Sequence, residues 1–256
     1  MMAEVTISRL SKTYQLIDRE SLAVLDDLSF SIPDRSFACI LGPSGCGKST
    51  LLNLITGLQS PDQGSILFSG RVYDGNAVRI SYVFQESRLL NWRTAAENVE
   101  FALEGMRVPR GEWAARVERY LDLVGLTKFK DQFPLFLSGG MRQRVSIARA
   151  LSIEPDILLM DEPFSNLDEI TANEMRRDLL TLMEKLRQTV FFVTHNAFEA
   201  AFLGDLIILL TARPARLIEV MRNPIPKPRD LDSGEVFELR REIVRKMKRP
   251  EVETRR

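Results

Sequence analysis

Ser36-Phe37-Ala38-Cys39-Ile40-Leu41-Gly42-Pro43-Ser44-Gly45-Cys46-Gly47-Lys48-Ser49-Thr50 joins an apolar strand-like run to a helix start through a glycine-rich turn. The spacing Gly42-x4-Gly47-Lys48-Ser49, set between strand and helix, is that of a phosphate-binding loop. Glycines let the backbone wrap so that N–H groups point inward at phosphate oxygens. The helix N-terminus adds roughly half a positive charge at the same place. Lys48 is placed to reach the β- and γ-phosphates, Ser49 to hold Mg²⁺ and Thr50 to meet the α-phosphate side. Pro43, Ser44, Gly45 and Cys46 complete the cradle. Alone, this loop means only that a nucleotide is bound.

Outward from it, strand-like runs occur at Val5–Lys12, Ala23–Ser31, Ser65–Ser69 and Val78–Phe84. A helix follows the loop over Lys48–Leu58, closed by Gly57 and Pro61. From Thr94 to Ser152 the apolar residues recur near 3.6 spacing, with breaks at Pro109-Arg110-Gly111 and Phe133-Pro134. Strands and helices then alternate: Asp156–Met160, Glu169–Arg187, Thr189–Thr194, Ala197–Leu203 and Asp205–Leu210. Such alternation predicts a parallel sheet of buried strands. Ile157-Leu158-Leu159-Met160-Asp161-Glu162 ends in two carboxylates, and the C-terminal edge of a parallel sheet borders the ligand crevice. Asp161 is read as positioning Mg²⁺, and Glu162 as polarising the attacking water.

At 256 residues the chain suits one large domain, or one core with an inserted subdomain. The 35 basic residues balance 35 acidic ones, which argues against a duplex-coating protein. No apolar run approaches the ~18 residues of a membrane span. Met1-Met2-Ala3-Glu4 lacks the pattern of a signal peptide, so any membrane role is expected through a separate partner. Cys39 and Cys46 read as free thiols of a reducing cytoplasm, since a bridge would distort the phosphate loop. Asn223-Pro224-Ile225-Pro226-Lys227-Pro228 reads as a stiff linker, and Val236–Arg256 as one charged terminal helix, read as solvated rather than lipid-bound.

Leu137-Ser138-Gly139-Gly140-Met141-Arg142-Gln143-Arg144 begins 89 residues after Lys48 of the phosphate loop. Ser138 suits a helix N-cap, with a helix through about Ser152. Together with the phosphate loop and Asp161-Glu162, this run resembles the ATP-binding cassette (ABC) family. The resemblance covers about Val5 to Asp230. It implies a RecA-like α/β P-loop core with an antiparallel β subdomain and an inserted helical subdomain at about 87–152. The whole forms one domain over 1–230, with a helical tail at 231–256.

The same resemblance implies head-to-tail pairs. In such a pair Ser138, Gly139 and Gly140 read the γ-phosphate of ATP held by the second copy, as an arginine finger would. Gln85 resembles the loop glutamine that senses Mg²⁺ and contacts the transport partner. Ser165-Asn166-Leu167-Asp168 resembles the loop that joins the two subunits' sites. His195, the only histidine, resembles the switch histidine on the γ-phosphate, and Tyr14 the aromatic that stacks on adenine.

Val83-Phe84-Gln85, Leu89-Leu90-Asn91-Trp92-Arg93-Thr94, Glu97-Asn98-Val99, Arg213-Pro214 and the proline-rich stretch give a finer resemblance, to nitrate/sulfonate/taurine importers. Asn91 stands where that group has proline, Asn166 where it has alanine, and Leu135-Phe136 where it has His-Gln. The resemblance implies ATP hydrolysis with Mg²⁺ at the cytoplasmic membrane face. The implied partners are a permease, through it a periplasmic or lipid-anchored binding protein, and no nucleic acid. Leu89, Leu90 and Trp92 are candidates for the rim of a permease-binding groove. Competing readings are a soluble ABC ATPase on nucleic acid or ribosomes, an exporter subunit, or a module that senses ATP without hydrolysis. Coiled-coil insertions or tandem cassettes would mark the first and loss of Lys48, Glu162 or His195 the last; neither is seen.

Overall fold

The computed structural model describes residues 4–15, 20–72, 78–186 and 188–248. Two strands, β1 (Val5–Gln15) and β2 (Ser21–Ile32), precede the fully buried β3 (Phe37–Leu41). Helix α1 (Lys48–Ile55) follows, then β4 (Gln63–Phe68), β5 (Arg71–Val72) and β6 (Ile80–Val83). Next come α2 (Ala95–Gly105), α3 (Arg110–Leu123), two short 3-10 turns, and α4 (Gly139–Ser152). The remainder is β7 (Ile157–Asp161), α5 (Glu169–Leu186), β8 (Thr189–Thr194), α6 (Ala197–Leu203), β9 (Leu206–Leu210), β10 (Leu217–Arg222) and α7 (Gly234–Met247).

The chain divides into two compact units. One comprises Val5–Ile32, Phe37–Val72 and Val193–Arg256. Its antiparallel sheet has the order β2-β1-β4-β5. Beside it, β3 pairs in parallel with β9, Leu41 opposite Leu209, and β9 pairs antiparallel with β10. Strands β3 and β9 are buried at every position, as continuous apolar runs in parallel pairs require. The parallel register sets the phosphate loop beyond β3 at the same edge as the turn after β9.

The other unit holds Pro33–Ser36 and Tyr73–Phe192. Here β6 and β7 pair in parallel, Val83 opposite Met160, and α2 to α5 supply the helical layer. Thr94 caps α2 in a reciprocal capping box with Glu97, which fixes where that helix starts. Strand β8 begins in this unit and ends in the first.

Several local expectations change. Strands β5 and β10 were not foreseen; β10 alternates covered positions, Met221 buried among them, with exposed ones, because one of its faces meets the protein and the other solvent. Helix α1 stops at Ile55, with Gly57 at φ 72° closing it, as a left-handed cap does. Arg110 and Gly111 are not a break but the first turn of α3, entered through Pro109. Arg187 and residues 249–256, parts of two expected helices, lie outside the described residues.

The proline-rich stretch is no spacer. Asn223 donates to the carbonyls of Ala201 and Gly204, and Lys227 pairs with Asp205 at 2.8 Å. Buried Arg229 donates to the carbonyls of Phe202 and Ile225 and to Asp205. The segment is a strap fastened to α6 and the start of β9.

Candidate functional site

In the first unit, the phosphate loop rests on a packed floor. The Cys46 amide donates to the Pro43 carbonyl at 3.2 Å, closing the turn. A Cβ on Gly42 would lie 2.8 Å from the Cys46 Sγ. Gly47 has φ 122°, and a Cβ there would stand 2.7 Å from Val24 Cγ1 and 2.9 Å from Leu25 Cδ2. Only glycine satisfies both the dihedral and the contact. Cys39 and Cys46 are buried free thiols; burial and the carboxylate of Glu199 push the Cys39 thiol well above its ordinary pKa.

Lys48 opens α1 and is 5% exposed. Its ammonium donates to the carbonyls of Gly42 and Pro43, at 2.9 and 3.0 Å. Among the described residues no side chain caps α1, nor α3, which is entered through Pro109. Helices α2, α4, α6 and α7 are capped by Thr94, Ser138, Asn196 and Ser233. An uncapped N-terminus beside a buried cation suits a polyphosphate, whose oxygens accept from N–H groups and ammonium alike. Ser49 and Ser44 are exposed on this loop.

Tyr14 lies near the end of β1, opposite Leu22. Its hydroxyl bonds Gln59 Oε1, and the Lys12 ammonium stands 5.7 Å from its ring centroid. Asp62 takes Lys12 at 2.9 Å and the Thr13 amide at 2.7 Å, which hold its carboxyl below the usual range. His195 is exposed directly after β8. The buried Thr194 before it accepts from the Asn196 amide and donates to Glu199, so the histidine's backbone is anchored on both sides.

In the second unit, Asp161 ends β7 and Gln85 follows β6, so the β6–β7 register brings both to one edge. Glu162 has φ 45°, in a region that non-glycine residues occupy at a cost and that recurs at functional sites. Its carbonyl accepts from the Ser165 amide and hydroxyl, at 3.2 and 2.9 Å. Asp168 accepts from the Thr171 amide at 3.0 Å at the start of α5. That bond, first among its causes, holds the Asp168 carboxyl below its ordinary pKa.

Ser138 caps α4 as expected, accepting from the Met141 amide at 3.2 Å. Ser138 and Gly139 are exposed and Gly140 is buried. A Cβ on Gly140 would meet Thr171 Cγ2 at 2.7 Å, and one on Gly139 would meet Leu167 Cδ2 at 3.6 Å. The Ser-Gly-Gly turn and the Asp168 turn therefore pack together.

Five residues build the site through contacts that the sequence reading did not foresee. Tyr82 donates to Asp161 Oδ2 at 3.0 Å. Burial, then the Asp161 charge, drives the phenol pKa up, so it remains a donor. Gln143 and Arg149, both on α4, donate to the backbone around Gln85: Gln143 to Phe84, and Arg149 to Ser87 and Arg88, both at 2.9 Å. Asn166 Nδ2 reaches the Gln85 carbonyl at 3.5 Å. Asn98, fully buried, bonds Leu90, Arg93 and Thr94 and shapes a loop that leaves Trp92 74% exposed. Leu89 and Leu90 beside it are half-buried. Apart from the Asn98 loop, these contacts join residues 59 or more apart in sequence, so no local pattern announces them.

Residues 25–165 match the family model described as ABC transporter. The chain is 47% identical to the taurine import ATP-binding protein TauB of Rhizobium johnstonii over 194 residues, 76% of this chain and 74% of that one. It is 40% identical to the nitrate import ATP-binding protein NrtD of Synechococcus elongatus over 218 residues, 84% and 80% of the two chains. Among solved structures, a dimeric ATP-binding cassette in a post-hydrolysis state with ADP and phosphate superposes with a TM-score of 0.73. That match has 31% identity and covers 87% of this chain and all of the other.

Proposed function

We propose, on the premise that this chain belongs to the ABC transporter family, that it is the ATP-hydrolysing subunit of an importer for a small solute of the nitrate, sulfonate or taurine kind. The observation that carries this reading is the pairing of two phosphate-reading elements in one chain: buried Lys48 at the uncapped start of α1, and the exposed Ser138-Gly139 opening of α4. A lone nucleotide-binding protein needs the first and has no use for the second.

In this reading two copies associate head to tail around two ATP molecules. Tyr14 stacks on adenine, and residues 42–50 cradle the phosphates, with Lys48 on the β- and γ-phosphates. Ser138 Oγ and the Gly140 N–H of the second copy stabilise charge on the transferring phosphoryl group. Glu162 accepts a hydrogen bond and then the proton of the attacking water, whose oxygen bonds phosphorus as the bond to ADP breaks. His195 supports the γ-phosphate, and Asp168 borders the partner's nucleotide. Mg²⁺, when bound, neutralises charge on the β- and γ-oxygens, and Ser49, Gln85 and Asp161 are the side chains that would hold it.

Among the described residues no helix is long and apolar enough to cross a membrane. In this reading the subunit acts peripherally on a separate permease at the cytoplasmic membrane face, with a solute-binding protein reaching that permease from the other side. Trp92, held out by the Asn98 loop, is the contact for the permease.

Glu162→Gln tests the ATPase core of this reading. Turnover should fall about 100-fold or more, the share of general-base assistance, while ATP drives a stable dimer measurable by light scattering. A variant that stays monomeric in saturating ATP refutes the paired site.

A further inference from the structure

Asp161 ends β7 with its carboxylate half-buried. Among the described residues, its side chain has one hydrogen-bond partner, the Tyr82 hydroxyl at 3.0 Å from Oδ2. Tyr82 lies on β6 opposite Leu159, two residues before Asp161 on the paired strand, so only a long side chain spans the diagonal. The phenol is itself fixed. Its ring stacks on Phe84 at a centroid distance of 4.3 Å, and the Arg88 guanidinium covers the Phe84 ring at 4.1 Å. Arg149 in turn holds the Arg88 carbonyl at 2.9 Å.

We infer that Tyr82 is a positioning residue for Asp161: it occupies Oδ2 and holds the carboxylate in one orientation, leaving Oδ1 for the cation that accompanies ATP. This rests on the reading of Asp161 as a holder of Mg²⁺. A carboxylate at a strand end is otherwise free to rotate about two bonds, and fixing it before the cation arrives removes that ordering cost from binding. An O–H donor to a charged carboxylate is among the stronger hydrogen bonds. Outer groups of this kind tune metal affinity by about 10–100-fold. A purely packing role for Tyr82 needs only the ring.

The test uses a fluorescent, non-hydrolysable ATP analogue on the Glu162→Gln protein, so that hydrolysis does not disturb the binding equilibrium. Affinity is measured in EDTA and in Mg²⁺, and their ratio gives the gain due to the cation. Tyr82→Phe keeps the stacked ring and loses the donor. The expected result is unchanged affinity in EDTA and a gain reduced about tenfold. A normal gain in Tyr82→Phe, with the gain abolished by Asp161→Asn, overturns the positioning role while leaving Asp161 as a cation holder. A normal gain in both variants removes Asp161 from the cation site, and this inference with it. Equal loss in EDTA and Mg²⁺ makes Tyr82 a packing residue, which also overturns the inference. Mn²⁺ binding to the ATP-loaded protein, followed by electron paramagnetic resonance, supplies a readout independent of the fluorophore and should weaken by the same factor.

Discussion

At the scale of single residues, Gly47 shows how tightly the phosphate loop is built. Its φ of 122° and the 2.7 Å approach of Val24 Cγ1 to any added Cβ act together. Gly47→Ala should cost about 2–4 kcal/mol, from backbone strain plus overpacking, and should abolish ATP binding. Denaturant midpoints check the first expectation. Adding Val24→Ala should return part of the overpacking, with the Leu25 Cδ2 approach at 2.9 Å remaining, and leave the strain; a double variant no better than the single one would show that the Val24 contact is irrelevant. Gly47 was legible in the sequence because the loop's chemistry is local: eight consecutive residues state it. Tyr82 was not, since a tyrosine in an apolar strand reads as core until the β6–β7 register sets it diagonal to Asp161. Glu162 was legible as a residue type, but its φ of 45° was not.

At the scale of elements, what decided legibility was whether the pattern belongs to one segment or to two. Strands β3, β7 and β9 are continuous apolar runs and were visible. Helix α4 was visible from its cap and its spacing. Strand β10 was missed because its Leu217-Ile218-Glu219-Val220-Met221-Arg222 run shows no strict apolar–polar alternation; among the described residues it lies at the sheet edge, beside β9. The strap at 223–229 was misread because proline content reports stiffness, not whether the segment is held down. What holds it is Arg229, whose side chain is 2% exposed in its pairing with Asp205. Arg229→Met keeps much of the volume and strips donors from two carbonyls and a carboxylate. Asp205, 34% exposed, keeps Lys227, so the loss is that of two carbonyls left without their donor, about 1–3 kcal/mol, read by urea unfolding. Lys227→Met removes a more exposed cation from the same Asp205 and should cost about 1 kcal/mol or less. Equal effects of the two substitutions would contradict the strap's dependence on its buried arginine.

At the scale of the molecule, the proposed paired site would make a demand that no single chain can meet. Lys48 and Ser138 lie on different helices, and in the proposed assembly the lysine of one copy works with the serine of the other. Lys48→Ala and Ser138→Arg should each abolish hydrolysis alone. The second also removes a helix cap, worth about 1 kcal/mol, which leaves the fold intact. Mixed together, the two inactive proteins form two-fold dimers, of which about half are hybrids at equal stoichiometry. Each hybrid has one site with both defects and one with neither. Activity should therefore return to about a quarter of the wild-type value, because half the dimers carry one working site of two. A chain carrying both substitutions, mixed with wild type, makes hybrids in which every site has one defect. That mixture should yield only the activity of the remaining wild-type dimers, again about a quarter. If each chain instead worked alone, the first mixture would stay inactive and the second would keep about half. The two mixtures thus separate a shared site from a self-contained one without requiring the permease or the solute to be known.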